Sequence, residues 1–116
     1  MLHEDPVELA VDSIGGVLAV AVRGALIAGA TEPLRTCLAQ AIRGARPVVV
    51  DLTETTGIDR AAIDELVEAN QRLGTRLRLV VERGGDLHQA LRREGVAHVL
   101  SLHASRAEAL TAAAPR

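Results

Sequence analysis

The chain has 116 residues, which suits one domain with a single core, and 48% of them are hydrophobic although Phe, Tyr and Trp are absent. Without aromatic side chains there is no platform on which bases could stack. A formal net charge of -2 also gives no attraction to a phosphate backbone, so composition argues against nucleic-acid binding. All 13 Lys-plus-Arg residues are arginine, which excludes chemistry that needs a lysine, such as Schiff bases and phosphate-loop sites.

The sequence carries no sign of export or of membrane insertion. Cys37 is the single cysteine and cannot form an intramolecular disulfide, so nothing indicates an oxidising compartment. Residues 1–20 lack the basic start and unbroken apolar run of a signal peptide. Arg23 interrupts the longest apolar stretch before it reaches the length of a membrane span. We therefore expect a cytoplasmic protein that forms one domain over residues 1–116.

The first half of the chain predicts a hairpin, a helix and a buried strand. Residues 7–14 alternate apolar and polar side chains, and a glycine pair separates them from a second strand at 17–24. Thr31 is a good N-cap for the helix that follows. The run PVVVDL at 47–52 is apolar and rich in β-branched residues, which is typical of a strand covered on both faces.

The second half continues the alternation of helices and strands after a polar loop that follows residue 52. In chain order the patterns predict a helix from Arg60 to about Leu73, a strand at 76–82, a short helix capped by Asp86, a strand at 96–102, and a last helix opened by a capping box at Ser105. The order β-β-α-β-α-β-α-β-α predicts an α/β fold. It has an amino-terminal β-hairpin, about four helices and a mixed, mostly parallel sheet.

No catalytic or metal-binding constellation is visible in the sequence. Ligands of open α/β sheets bind beyond the carboxyl ends of the strands, where the most polar segment is TETTGIDR at 53–60. Asp51 and Asp59 suggest an aspartyl-phosphate site, but such a site needs a lysine, so we interpret Asp59 as a helix N-cap. His98 and His103 have no further ligand at metal spacing. We expect no cofactor and no metal.

The segment VVVDLTETTGIDRAAIDELVEANQRL at 48–73 resembles the central part of STAS domains, the family of bacterial anti-sigma factor antagonists. The resemblance extends beyond this segment. VLAVAVRGAL resembles the second strand of the family and TRLRLVVE its fourth strand. LHQALRREGVAHVLSLHASRAEAL resembles the closing helix, turn, strand and helix, so nearly the whole chain is covered.

The resemblance implies a non-catalytic regulatory module that binds other proteins, rather than an enzyme. Members of the family bind an anti-sigma factor, often a serine kinase, and so free a sigma factor for transcription. In the family, phosphorylation of the Ser or Thr that follows an aspartate at the start of this helix switches binding off, because it alters the charge on the surface that the partner contacts. The implied partners are such an anti-sigma factor or other STAS proteins. The resemblance leaves a homodimer open and implies no cofactor, nucleic acid or membrane.

This chain departs from the family pattern at the phospho-acceptor. Asp59 matches the family's aspartate, but Arg60 stands where the Ser or Thr belongs, so the position is degenerate and cannot be phosphorylated. We expect a partner-binding surface formed by Glu54, Thr55, Thr56, Asp59, Arg60, Ala61 and Asp64. Thr55 and Thr56 are alternative acceptors, although neither occupies the family position. Arg60 also has a simpler interpretation, a surface ion pair with Asp64 or Glu54.

A second departure lies at residues 24–27, where Gly-Ala-Leu-Ile replaces the family's common Gly-Glu-Leu-Asp. Losing that acidic pair changes the surface that a partner of the usual kind would meet. The sequence therefore leaves an alternative function open, a degenerate STAS scaffold or a ligand-sensing subunit of a larger signalling assembly.

Overall fold

The fold is a five-stranded sheet with helices on both faces, seen in a computed structural model that describes residues 7–27 and 30–114. Its elements are β1 Glu8–Ile14, β2 Val17–Leu26, α1 Glu32–Gly44, β3 Val48–Ile58, α2 Arg60–Leu73, β4 Leu77–Val80, α3 Asp86–Arg93, β5 Leu102–His103 and α4 Arg106–Ala113. The strand order is β1-β2-β3-β4-β5; β1 is antiparallel to β2, and the other neighbours are parallel. The predicted α/β fold is confirmed.

Alternation along β3 divides the core between the two faces of the sheet. Val48, Val50 and Leu52 pack with the apolar faces of α1, α2 and α3. Val49 packs on the opposite face with Ala109 of α4. All of these side chains are buried, which explains why Val48, Val49 and Val50 are apolar at consecutive positions instead of at every second one. Right-handed crossovers between adjacent parallel strands place the first three helices on one side.

The segment after residue 52 is a strand and not the predicted loop. β3 continues to Ile58 because β2 continues to Leu26 and offers it a parallel partner, with Gly24 opposite Thr55. The pairing shifts register twice, and each shift leaves one extra residue in β3, as in β-bulges. The β-branched threonines of this segment suit extended backbone. The two strands together carry the start of α2 beyond the end of β4.

The last two strands are shorter than predicted. β4 ends at Val80, and β5 replaces the strand expected at 96–102 with two residues. Val96 instead begins a turn, in which its carbonyl accepts from the amides of Val99 at 3.0 Å and Leu100 at 3.2 Å. Leu100 is buried by this turn. A short apolar run is compatible with a strand or with a turn packed on the core, so its composition does not separate the two.

Two of the predicted helix caps differ from the structure. Thr31 precedes α1, but its side chain makes no capping hydrogen bond. Pro33 lies in the first turn and has no N–H, which removes one of the amides that a cap accepts from. Gly85 occupies the cap position of α3, and Asp86 is the first residue of that helix. Ser105 caps α4 as predicted and accepts from the third amide of the helix at 3.1 Å.

Asp59 caps α2, as predicted, by accepting a hydrogen bond from the amide of Ala62 at 2.9 Å. We expect Asp59→Ala to lower the free energy of unfolding by about 1 kcal/mol, because it leaves helix amides without this acceptor. Urea denaturation followed by circular dichroism measures the change. Asp64→Ala removes an exposed carboxylate from the next turn of the same helix and serves as the control. Equal losses in the two variants would contradict a capping role.

His103 on β5 makes stability depend on pH. Burial lowers the pKa of its imidazole, and the charge of Arg78 lowers it further, outweighing Glu108. The neutral form of the imidazole is therefore more favoured in the folded protein than in the unfolded chain, where the pKa of the histidine side chain is 6.5. The stabilisation is complete above pH 6.5. It is lost as the pH falls through that value toward the lower folded pKa.

We expect His103→Gln to flatten the fall in unfolding free energy on the acid side of this window. Urea titrations at several pH values, carried out on both proteins, measure the two slopes. If the slopes coincide, the acid sensitivity belongs to other groups.

Candidate functional site

The predicted partner-binding residues lie where β3 passes into α2, at the carboxyl edge of the parallel strands. The amide of Asp59 donates to the carbonyl of Leu26 at 3.1 Å, which joins the start of α2 to the end of β2. Ala28 and Gly29, in the connection from β2 to α1, lie outside the described residues. Five of the seven predicted residues are exposed, namely Glu54, Thr56, Arg60, Ala61 and Asp64. We call these five residues, which run from the end of β3 into the first turns of α2, the exposed strip.

Thr55 is part of the sheet instead of this exposed strip. Its side chain is 8% exposed, and its hydroxyl donates to the carbonyl of Val22 at 2.9 Å. Val22 lies where the pairing of β2 with β3 shifts register, between Ala21 and Arg23. The hydroxyl thus holds the two strands together at a place where the regular ladder is interrupted. Phosphorylation of Thr55 would require this hydrogen bond to open.

Thr56 differs from its neighbour in both respects. It is exposed, and it falls between Thr55 and Gly57 at the second register shift, so no residue of β2 pairs with it. It lines a small cleft of about 280 Å³ together with Glu82 and Asp86. Two acidic residues thus line the same cleft as Thr56.

The two aspartates considered for phosphoryl chemistry both hold the backbone. Asp51 accepts from the amide of Thr53 at 3.0 Å and from its hydroxyl at 2.7 Å. Asp59 is the cap of α2. Within residues 7–27 and 30–114, no three His, Cys, Asp or Glu side chains are grouped so that they could hold a metal ion. Both aspartates therefore already act as acceptors for nearby backbone amides.

Two amides of the turn that leads into α3 have acceptors within the domain. The amide of Gly85 donates to the carbonyl of Glu82 at 3.0 Å, and the amide of Gly84 donates to Nδ1 of His88 at 2.9 Å. Gly84 has a φ of +75°, which glycine adopts without strain. These two donors are therefore not free to bind an anion.

Arg60 is paired with a residue that sequence spacing did not indicate. Its Nη1 lies 3.8 Å from Oε2 of Glu94, the C-cap residue of α3. The predicted pairing with Asp64 or Glu54 is wrong. Glu54 is bound by Arg23, with Nε 3.0 Å from Oε2, and this hydrogen bond and charge raise the pKa of Arg23. Glu94 was missed because it lies far along the chain, and only the packing of α3 brings it to Arg60.

The position of Glu94 explains how the fold accommodates a cation on the first turn of α2. The amino-terminal end of a helix carries partial positive charge and disfavours an arginine. The guanidinium of Arg60 extends away from that end, toward the carboxyl-terminal end of α3, where a cation is favoured. Its side chain remains 78% exposed. Exposed pairs of this kind contribute about 0–1 kcal/mol, so Arg60 is not needed for the fold.

In the ranges that the structure describes, no helix has both the length and the apolar character needed to cross a membrane.

Comparisons with known proteins agree with this architecture. The family model described as STAS domain matches residues 8–109. Among curated proteins, no sequence matches the chain. A solved anti-sigma factor antagonist from Mycobacterium paratuberculosis is 22% identical, with a TM-score of 0.78 over 92% of this chain and 93% of that one.

Two further solved structures share the fold. A STAS domain protein from Planctomyces limnophilus is 19% identical, with a TM-score of 0.70 over 91% of this chain and 97% of that one. The Bacillus cell fate determinant SpoIIAA in its phosphorylated form is 14% identical, with a TM-score of 0.65 over 90% and 97%. At these identities the likeness concerns the fold. The family match spans most of the sequence and confirms the resemblance, and the chain belongs to the STAS domain family.

Proposed function

We propose that this STAS domain is a non-catalytic regulatory module that binds an anti-sigma factor and so frees a sigma factor, with Arg60 in place of the phospho-acceptor. The observation that carries the proposal is the placement of Arg60. It is the first residue of α2, it directly follows the capping Asp59, and its side chain is exposed. Solved structures with this fold include an anti-sigma factor antagonist.

Arginine at position 60 lacks the hydroxyl group that a phosphate switch at this position requires. Arginine has no hydroxyl that could attack a phosphoryl group, and its charge is opposite to that of the phosphate it replaces. The domain would therefore stay in its binding state in the presence of the kinase. Control of such a module lies in its amount, or in its competition with a relative that can be phosphorylated.

The changed segment at 24–27 supports a second candidate function. Leu26 is fully buried, whereas Ala25 and Ile27 are half-buried beside the start of α2. They stand at the positions of the family's acidic pair, so this side of the surface is apolar. An apolar surface of this kind suits a scaffold or ligand-sensing subunit that assembles with other STAS proteins in a larger signalling complex.

We expect the wild-type chain to bind a serine-kinase anti-sigma factor encoded in the same genome, without being phosphorylated at residue 60. Arg60→Ser places a hydroxyl on the first turn of α2, and we expect the bound kinase to modify it. Calorimetry with each purified kinase measures binding, and mass spectrometry after incubation with ATP locates the phosphate. Arg43→Ser is the matched control, since it places a hydroxyl in the last turn of α1 at another exposed arginine position.

The two candidate functions give different results in this experiment. A wild-type chain that binds no such kinase, and that copurifies with other STAS proteins, would replace the first candidate with the second. Binding without modification of Arg60→Ser would show that the surface has diverged from a kinase substrate at more positions than residue 60.

We expect any phosphate placed on the threonine segment to be found on Thr56 and not on Thr55. Thr55→Val removes the hydroxyl that donates to Val22 and should lower the free energy of unfolding by about 1–2 kcal/mol. Thr56→Val is the control and should change it by less than about 0.5 kcal/mol. Phosphopeptide mapping and urea denaturation supply the two measurements. A phosphate on Thr55 would mean that β3 opens at this point before the kinase acts.

A further inference from the structure

An open groove of about 440 Å³ lies between α1 and α2. Its lining residues recur at the same helical spacing in both elements, at i, i+3, i+4 and i+7, so each helix contributes one continuous face. They are Arg35, Leu38, Ala39 and Ile42 of α1 and Glu65, Glu68, Ala69 and Arg72 of α2. Within residues 7–27 and 30–114, the groove is lined by these two helices alone. It combines an apolar floor with a charged rim.

The apolar floor of the groove is only partly covered by the domain itself. Leu38 and Ala69 are buried, whereas Ala39 and Ile42 are half-buried. The side chains of Ala39 and Ala69 are single methyl groups, so the two helices leave a depression between their larger side chains. Helices pack on one another by fitting side chains into depressions of this kind.

The charged rim of the groove consists of two arginines and two glutamates, so its net charge is zero. Arg35 binds Glu65 across the groove, with Nη2 2.9 Å from Oε1. Glu68 and Arg72 are exposed and lie one turn apart on α2, a spacing at which an ion pair can form. Neither residue takes part in an ion pair with any described residue. Each copy of the chain therefore offers one carboxylate and one guanidinium beside the apolar floor.

We propose that this groove is the contact surface of a homodimer, in which α1 and α2 of two copies pack face to face and antiparallel. A two-fold axis that crosses α2 midway between Glu68 and Arg72 places Arg72 of each copy beside Glu68 of the other. Both charges then gain a partner, and the half-buried Ala39 and Ile42 are covered. A second copy satisfies the two opposite charges together, whereas a uniformly acidic or basic partner would satisfy one and repel the other.

The proposed dimer goes beyond the proposed function and is compatible with it. In this antiparallel arrangement the partner's α2 overlaps the second half of α2. The first turns of α2, which carry part of the exposed strip, stay uncovered in both copies.

The size of the face limits how tightly the two copies can bind. Helices of 13 and 14 residues are each about 20 Å long and about 10 Å wide, so side by side they present roughly 400 Å² per copy. A stable interface of standard size buries about 800 Å² per partner. We therefore expect a weak dimer, with a dissociation constant on the order of 10–100 μM.

Sedimentation velocity of the full chain at concentrations from about 5 to about 500 μM tests for this dimer, because the range spans the expected dissociation constant. Ala39→Arg fills the groove with a long charged side chain, and we expect it to abolish the dimer. Gln40→Arg introduces the same side chain at the neighbouring exposed position of α1, outside the groove, and should leave the dimer unaltered. Circular dichroism verifies that both variants are folded.

Exchange of the two charges tests the antiparallel arrangement. Glu68→Arg and Arg72→Glu each place like charges at both contacts, and we expect each to raise the dissociation constant about 10-fold or more. An equimolar mixture of the two single variants should form heterodimers, since every contact then joins an arginine to a glutamate. An ion pair within one helix cannot be restored by mixing. Arg43→Glu, on α1 outside the groove, controls for the change in net charge.

The results that would overturn the inference are distinct. They are a wild type that stays monomeric at the highest concentration, a dimer that persists in Ala39→Arg, and single variants that do not associate when mixed. A monomeric wild type whose binding to an anti-sigma factor is lost in Ala39→Arg would assign the groove to another ligand, and the inference would fail. The proposed function is tested separately through Arg60, so it does not depend on these results.

Discussion

The parallel pairing of β2 with β3 beyond the end of β4 is the interaction on which the rest of the candidate site depends. Without it the threonine segment would have no backbone partner and α2 would have no defined starting point. The pairing ends with Leu26 opposite Ile58. One further hydrogen bond, from the amide of Asp59 to the carbonyl of Leu26, joins the first turn of α2 to the end of β2. The exposed strip is therefore held by a sheet, even though its residues have the composition of a loop.

Much of the fold could be predicted because it follows from local patterns. The apolar run at 47–52 predicts a strand buried on both faces, and the stripe of α2 predicts a helix that packs on it. The extension of β3 could not be predicted in this way, since it depends on how far β2 continues. The strand expected at 96–102 failed for a related reason. Val96 and Leu100 are apolar as a strand requires, but a turn buries them equally well.

The candidate site shows the same division between local and distant causes. Asp59 could be identified as a cap from its place before a helical pattern, because its acceptor function involves an amide three residues away. The surroundings of Arg60 could not, since Glu94 reaches it through the packing of α3. Thr55 and Thr56 are the same residue type and are adjacent in the chain, yet Thr55 is buried and Thr56 is exposed. This difference in exposure depends on how β3 pairs with β2, which the identity of neither threonine determines.

The two register shifts in β3 let the threonine segment hold two more residues than the stretch of β2 beside it. Side chains of residues that pair across neighbouring strands lie on the same face of the sheet, so each bulge absorbs one extra residue without turning the residues that follow. Ile58 therefore keeps its place opposite Leu26, and the start of α2 stays joined to the end of β2. Deletion of one residue at either shift should straighten the ladder there and leave the capping carboxylate of Asp59 where it is.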